Sequence, residues 1–265
     1  SQLIFVLAPR INALGRMGSA LEAVTMLTTE DSERAMEIAD LLEEQNQLRR
    51  QVDERMYREA IQMVDEQVDL KADKAIVLWS YDWHPGVIGI VASRIAERVH
   101  LPTVLISMEG DSGKGSARSI PGFDLFSALS LCRPHLMSFG GHKYAAGLSV
   151  ARENLPAFRE ALLNAAGELL DLDGMTPKLE IDDEITLNQI DTKLIEILKY
   201  FGPFGPLNTR PIMVSRGVEV VGNPAIVGKN HLRFKARQNG SVFDCIGYNL
   251  AHLTYRLTPG ESNLD

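Results

Sequence analysis

Cysteine is scarce: the 265 residues contain two, Cys132 and Cys245, far apart and in apolar surroundings. That excludes a disulfide framework and a cysteine-based zinc site, and it fits a reducing cytoplasm. Both are expected to be small buried hydrophobes. Long apolar runs are missing too. None approaches the roughly 18 residues of a membrane span, so no membrane partner is expected. The opening run, Leu3 to Ala8, has six apolar residues and no base before it. It is too short and wrongly flanked for a signal peptide, and it predicts a buried strand or helix end whose partners lie elsewhere. Clustered ligands for hard cations are also absent. There is no Asp-His-His, and the acidic stretches Asp171–Asp173 and Asp182–Glu184 carry no histidine beside them. Both are expected to be solvated. No G-x-S-x-G nucleophile elbow appears either.

The formal charge of −8 argues, as a bulk number, against a nucleic-acid binder. Its distribution reverses that argument. The segment from Thr28 to Asp73 holds 14 acids and 6 bases, which is the whole net charge. The rest of the chain is neutral in sum and free to carry basic patches.

That acidic segment has neither glycine nor proline from Asp31 to Val68, and its apolar residues recur at helical spacing. Asp31 or Ser32 can cap it. A helix of ~37 residues would run roughly 55 Å, longer than one small core needs, and reads as a strut between two domains. From Ala75 onward, strands alternate with helices: AIVLWS, a helix opened by Pro85 and closed near His100, TVLISM, DLFSALSLC, AAGLSV, and a last helix from Leu155 to Leu170 capped by Asn154. That pattern predicts an α/β layer structure. LDGMTPK (172–178) reads as a linker. Beyond it stand a short helix (Thr192 to Tyr200), a Gly/Pro-rich turn and several short strands, an all-β pattern suited to a small barrel.

Four clusters set small residues beside polar ones. APRINALGRMG supplies Arg10 and Arg16. WHPGVIG opens a helix, whose N-terminus favours anions, and further along that helix Arg94 and Arg98 face one way. GKGSARSIPG reads as a turn and short strand in which Ser116, Arg118 and Ile120 point one way, Ala117 and Ser119 the other. SFGGHKYAAG holds Gly140, Gly141, His142 and Lys143. Its bland reading is a tight turn with a half-buried histidine. Taken together, the clusters put guanidinium groups and one histidine on glycine-relieved backbone, as phosphate recognition requires. A separate signal lies in KNHLRFKAR. Lys229, His231, Arg233, Lys235 and Arg237 fall at every second position, so a strand would gather five potential cations, and no acid of its own, on one face.

In this order, APRINALGRMG, a long helix, WHPGVIGIVASR, KGSARSIPGFDLFSAL and FGGHKYAAGLS resemble the RecJ family of single-strand-specific exonucleases, within the DHH phosphoesterase superfamily. The resemblance covers nearly the whole chain and implies its C-terminal part, without the DHH domain. The implied organisation is the end of a DHH domain (1–29), a connecting helix (30–72), a DHH-associated α/β domain (73–172) and a truncated OB-like domain (173–265). The implied activity is 5′→3′ hydrolysis of single-stranded DNA in recombination and repair. Mn²⁺ or Mg²⁺ would be held by the DHH domain and none by these residues. His142 would hydrogen-bond the scissile phosphate. Ser116, Arg118 and Ser119 would contact the phosphate beyond it, with Arg94 and Arg16 as backbone contacts and Lys143 as a weaker one. Single-stranded DNA is the implied partner, with a single-stranded-DNA-binding protein or other repair proteins beside it. Two alternatives remain open at this point: a related phosphodiesterase for short oligonucleotides or cyclic dinucleotides, and a non-catalytic single-strand-binding module.

Overall fold

A computed structural model describes residues 3–170, 178–205, 207–261 and 264. The chain divides into two compact units, Ser1–Pro177 and Lys178–Asp265. The expected linker, apart from Lys178, and the acids Asp171 and Asp173 lie outside the described residues.

The first unit begins with a π-helical turn, Leu3–Leu7, that runs into α1 (Ala8–Met17); α2 (Leu21–Thr28) follows. The opening apolar run is thus a helix end, and Leu3, Ile4 and Phe5 are exposed. The long helix α3 spans Ser32–Gln67, where the charge-rich periodicity places it. Asp31 caps it, accepting from the backbone N–H groups of Glu33 (2.9 Å) and Arg34 (3.2 Å). One helix serves two cores. Ile38 and Leu42 pack with Leu14 and Ala23. Met56, Ala60 and Val64 pack with the side chains of the sheet described next. A core at each end, not intrinsic propensity, holds so long a helix in place.

The sheet strands and helices are β1 (Ile76–Ser80), α4 (Ile88–Val99), β2 (Thr103–Glu109), β3 (Ser112–Arg118), α5 (Leu125–Leu131), β4 (Ser138–His142), β5 (Ala145–Ala151) and α6 (Leu155–Leu169). Their spatial order is β1-β2-β3-β5-β4. β1 and β2 are parallel, and the other pairs are antiparallel. β2 is buried from Thr103 to Met108 because both its faces are covered. Leu105 joins Ile76, Leu78 and α4 on one side, while Val104 and Ile106 join α5 and α6 on the other. Cys132 lies in the second of these cores, where burial pushes its thiol up to about 11.

Four local expectations change. The two glycines before His142 belong to strand β4, not to a turn; the turn is Lys143–Tyr144. Pro85 stands in a turn ahead of α4, because His84 O takes the N–H groups of Val87 and Ile88 before regular helix begins. Ile120 lies past the end of β3 and packs in the same core as Ala117, not on the side of Ser116 and Arg118. Asn154 precedes α6 without a side-chain cap bond.

The second unit contains β6 (Asp183–Glu184), α7 (Thr192–Tyr200), β7 (Met213–Val214), β8 (Glu219–Val227), β9 (His231–Gln238) and β10 (Ser241–Gly247). β6 and β7 form a short parallel pair; β10, β9 and β8 form an antiparallel meander. A small core of Leu187, Val218 and Ala236 lies beneath it, with Phe234, Phe243 and Cys245 packed against it. β8 is irregular between Val221 and Ala225, where Gly222 takes φ +69°. Asp182, Asp183 and Glu184 are exposed, as expected.

Candidate nucleic-acid interface

Strand register brings together residues that lie far apart in sequence. Ser116 on β3 stands opposite Gly147 on β5, which stands opposite Gly140 on β4. One pleat along, Arg118 stands opposite Ala145, and Ala145 opposite His142. Residues directly opposed across strands share a face. One face therefore carries Ser116, Arg118 and His142 around a floor of Gly140, Gly147 and Ala145. The reverse face carries Ala117, Ala146 and Leu148 into the core. With so little side chain on the floor, an approaching group meets backbone.

α4 forms the wall on the Arg118 side. A Cβ placed on Gly89 would lie 2.6 Å from Arg118 Nη2 and 2.8 Å from Ser116 Oγ. A methyl there would push the Arg118 guanidinium and the Ser116 hydroxyl aside. One turn later, Ser93 Oγ accepts from Arg118 Nε at 3.1 Å. Arg118 Nη1 donates to Ser116 Oγ (3.0 Å) and Ala117 O (2.8 Å). Among the described residues no carboxylate pairs with Arg118. Desolvation, then the nearby Arg16 charge, lower its pKa, so an anion here would relieve both penalties.

His142 ends β4 and is exposed. Its Nδ1 accepts from Tyr144 N at 3.2 Å. In the neutral ring that puts the proton on Nε2, which is then a donor. Gly141 takes φ +150°, and a Cβ there would lie 2.4 Å from Ala145 O. Its glycine is required by the close approach of β5. Gly140 has nothing within 4 Å of its Cβ position, so it leaves the open space above the floor.

Arg16, at the end of α1, sits against the turn before α4. Its Nη1 donates to Gly86 O at 3.2 Å, and a Cβ on Gly86 would lie 2.0 Å from Arg16 O. Sequence reasoning missed Arg49 of α3. Its Nη2 donates to the buried Asn46 Oδ1 at 3.2 Å, and its Nη1 is 3.8 Å from Asp53. Burial lowers its pKa, and Asp53 raises it less than burial lowers it; Arg16 adds a smaller lowering. The buried Arg49 Nε and Asn46 Nδ2 have no hydrogen-bond partner. Arg16 thus senses both Arg49 and Arg118, and the neighbourhood holds an excess of donors. A signal was available in the sequence: Asn46, Arg49 and Asp53 interrupt the apolar stripe of α3 between Leu42 and Met56.

Other expected contacts are occupied elsewhere. Arg10 pairs with Glu43 and donates to Val6 O at 2.7 Å, fastening α1 to α3. Ser119 Oγ donates to Phe123 O at 2.8 Å, closing the turn after β3. Lys143 lies over the Tyr144 ring at 4.6 Å and is exposed. Arg94 is clasped by Asp53 (3.1 Å) and Glu54 (3.3 Å), with its guanidinium 3.8 Å from the Tyr57 ring centroid. Arg98 faces the same way and donates to Tyr57 Oη at 3.3 Å. The Arg94/Arg98 face of α4 is therefore spent on α3. Arg94→Ala is expected to cost about 1–2 kcal/mol of stability, a charged hydrogen-bond pair discounted for solvent screening. It should leave single-stranded-DNA affinity unchanged. Urea unfolding and anisotropy titration of the same variant check both halves.

In the second unit Arg233, Lys235 and Arg237 share the exposed face of β9, while Leu232 and Ala236 are buried. Lys229 falls in the turn before the strand. The face is not free of acid, because neighbouring strands supply it. Glu219 on β8 stands opposite Arg237 and accepts from its Nε at 2.9 Å, and Asp244 on β10 stands opposite Lys235.

Among the described residues no three His, Cys, Asp or Glu side chains gather as metal ligands. Around His142 the donors are guanidinium, hydroxyl and N–H groups. That set fits an anion and does not by itself fit a divalent cation.

Residues 72–168 match the DHHA1 domain family and residues 181–263 the RecJ OB domain family. The chain is 37% identical over 260 residues to the single-stranded-DNA-specific exonuclease RecJ of Bacillus subtilis, covering 97% of this chain and 33% of that protein. It is 34% identical over 265 residues to RecJ of Dickeya dadantii, covering 96% of this chain and 46% of that protein. It thus spans a third to a half of these two curated relatives. The crystal structure of RecJ in complex with Mn²⁺ from Thermus thermophilus superposes with a TM-score of 0.78 at 28% identity, over 92% of this chain and 40% of that one. With a DHHA1 domain followed by a RecJ OB domain, and RecJ proteins similar along nearly all of its length, the chain belongs to the RecJ family.

Proposed function

We propose that these residues are the DNA-gripping part of a metal-dependent, single-strand-specific 5′→3′ exodeoxyribonuclease of recombination and repair. The observation that carries this reading is the shared face of Ser116, Arg118 and His142 over a side-chain-poor floor. Arg118, already held by Ser93 and Ser116, is preorganised for a phosphate oxygen and loses little freedom on binding. Arg16 adds a second guanidinium. His142 offers Nε2–H from the opposite side of the floor to a phosphoryl oxygen, whose charge grows in the transition state.

The metal ions, Mn²⁺ or Mg²⁺, belong in this reading to a DHH domain and not to these residues. The OB domain favours long single strands over short oligonucleotides or cyclic dinucleotides, which need no track. The reading places the work in the cytoplasm, with single-stranded DNA as substrate and a single-stranded-DNA-binding protein or other repair proteins as partners. Among the described residues no helix is long and apolar enough to cross a membrane.

The test is direct. The chain should bind a single-stranded oligonucleotide at low salt, and log affinity should fall linearly with log salt, by about 0.7 per phosphate neutralised. It should not degrade the oligonucleotide when Mn²⁺ is added. Binding that ignores salt would remove the phosphate contacts from the reading. Turnover by pure material would remove the divided metal site.

A further inference from the structure

We propose that Tyr248, with Ile246 beside it, is a platform on which an unpaired base stacks, and that the contact to DNA lies at the Tyr248 end of the β9 face and not along its whole length. This rests on the reading of the second unit as a binder of single-stranded DNA. The rows across the meander differ in character from one end to the other. Arg237 stands between Glu219 and Val242, and Lys235 between Val221 and Asp244. Arg233 stands between Ala225 and Ile246. Extending the register by one pleat sets Tyr248 against His231, and their rings meet edge to face with centroids 5.4 Å apart. Carboxylates thus compensate the cations at one end. At the other, Arg233 and Lys229 have no carboxylate partner among the described residues; Arg233's cross-strand neighbours are apolar, and the His231–Tyr248 ring pair forms the next row.

Tyr248 is 72% exposed and Ile246 51% exposed. The tyrosine is nevertheless held in place. His231 packs against its ring, and His231 Nδ1 accepts from the N–H of Asn249, the next residue, at 3.1 Å. An ordered aromatic ring left open beside unpaired cations suits a nucleotide: the ring takes the base face and the cations take the phosphate. A duplex hides its base faces, so such a platform favours unpaired DNA.

The experiment compares fluorescence anisotropy titrations of the chain with labelled dT oligomers of ~12 nucleotides, a length within reach of one OB fold, and with abasic oligomers of equal length and charge. Tyr248→Ala is expected to weaken dT binding on the order of 10-fold, with abasic binding and salt dependence unchanged; Tyr248→Phe should bind as the parent does. Arg233→Ala should weaken both oligomers and flatten the salt dependence. If Tyr248→Ala binds dT normally while Arg233→Ala weakens both, the platform is wrong and the basic track stands. If neither substitution changes binding, the second unit is not the DNA-binding surface, and the platform falls with it. Because Tyr248 lies outside the small core, equal thermal unfolding of parent and variants is expected.

Discussion

His142→Ala in the complete exonuclease is expected to lower the rate of single-strand hydrolysis by roughly 10²-fold or more, the usual loss when one donor to a developing oxyanion is removed. The loss should appear in kcat more than in KM. The hydrogen bond from Nε2 strengthens as charge builds on the phosphoryl oxygen, whereas ground-state grip comes from Arg118 and Arg16. The chain alone, carrying the same substitution, should bind single-stranded DNA within about twofold of the parent. An exposed histidine whose ring nitrogen accepts from the neighbouring Tyr144 N–H contributes little to folding. A near-normal hydrolysis rate would reduce His142 to the end residue of an edge strand. A comparable loss in binding would make it a ground-state contact instead.

Gly86→Ala is expected to destabilise the first unit by about 3 kcal/mol or more, at or beyond the usual range for overpacking. The added methyl would fall 2.0 Å from Arg16 O and 2.9 Å from Arg16 C. Both are backbone atoms, so no side-chain rotation relieves the clash; α1 and the turn before α4 must separate. Arg16 would move with α1, so the salt dependence of DNA binding should flatten as well. Gly140→Ala is the contrasting substitution. Nothing lies within 4 Å of its Cβ position, so urea unfolding should show little change. The methyl would instead stand on the floor beside His142, across Gly147 from Ser116, and hydrolysis by the complete enzyme should fall. If the two alanines lower stability equally, the close contact at Gly86 does not govern the packing. If Gly140→Ala leaves hydrolysis intact, the floor is not where the substrate passes.

The fates of individual arginines show how far a sequence can be read. Arg94 and Arg118 look alike in the chain, each near glycines and small residues. The fold sends Arg94 to Asp53 and Glu54 on α3, and Arg118 to two serine hydroxyls with no carboxylate partner among the described residues. Their difference depends on the element opposite, which local sequence does not record. Arg49 shows the converse. It lies in the charge-rich stretch of α3 and looks like surface, yet its side chain is only 15% exposed. The clue was a break in the helical periodicity of the apolar stripe. On β9 the alternation of charge was legible, and its compensation by Glu219 and Asp244 was not, since cross-strand partners follow from register.

The sequence by itself determined the long capped helix, the alternation of strands and helices, the β-rich second unit and the family to which the chain belongs. Each of these follows from periodicity, caps and ordered motifs, which are local along the chain. Tertiary structure alone decided which cations remain unpaired, why Gly141 must be glycine, and that His142 joins Ser116 and Arg118 on one face. Those outcomes depend on distances between residues far apart in the chain, and hydrogen-bond register across strands fixes such distances where composition cannot.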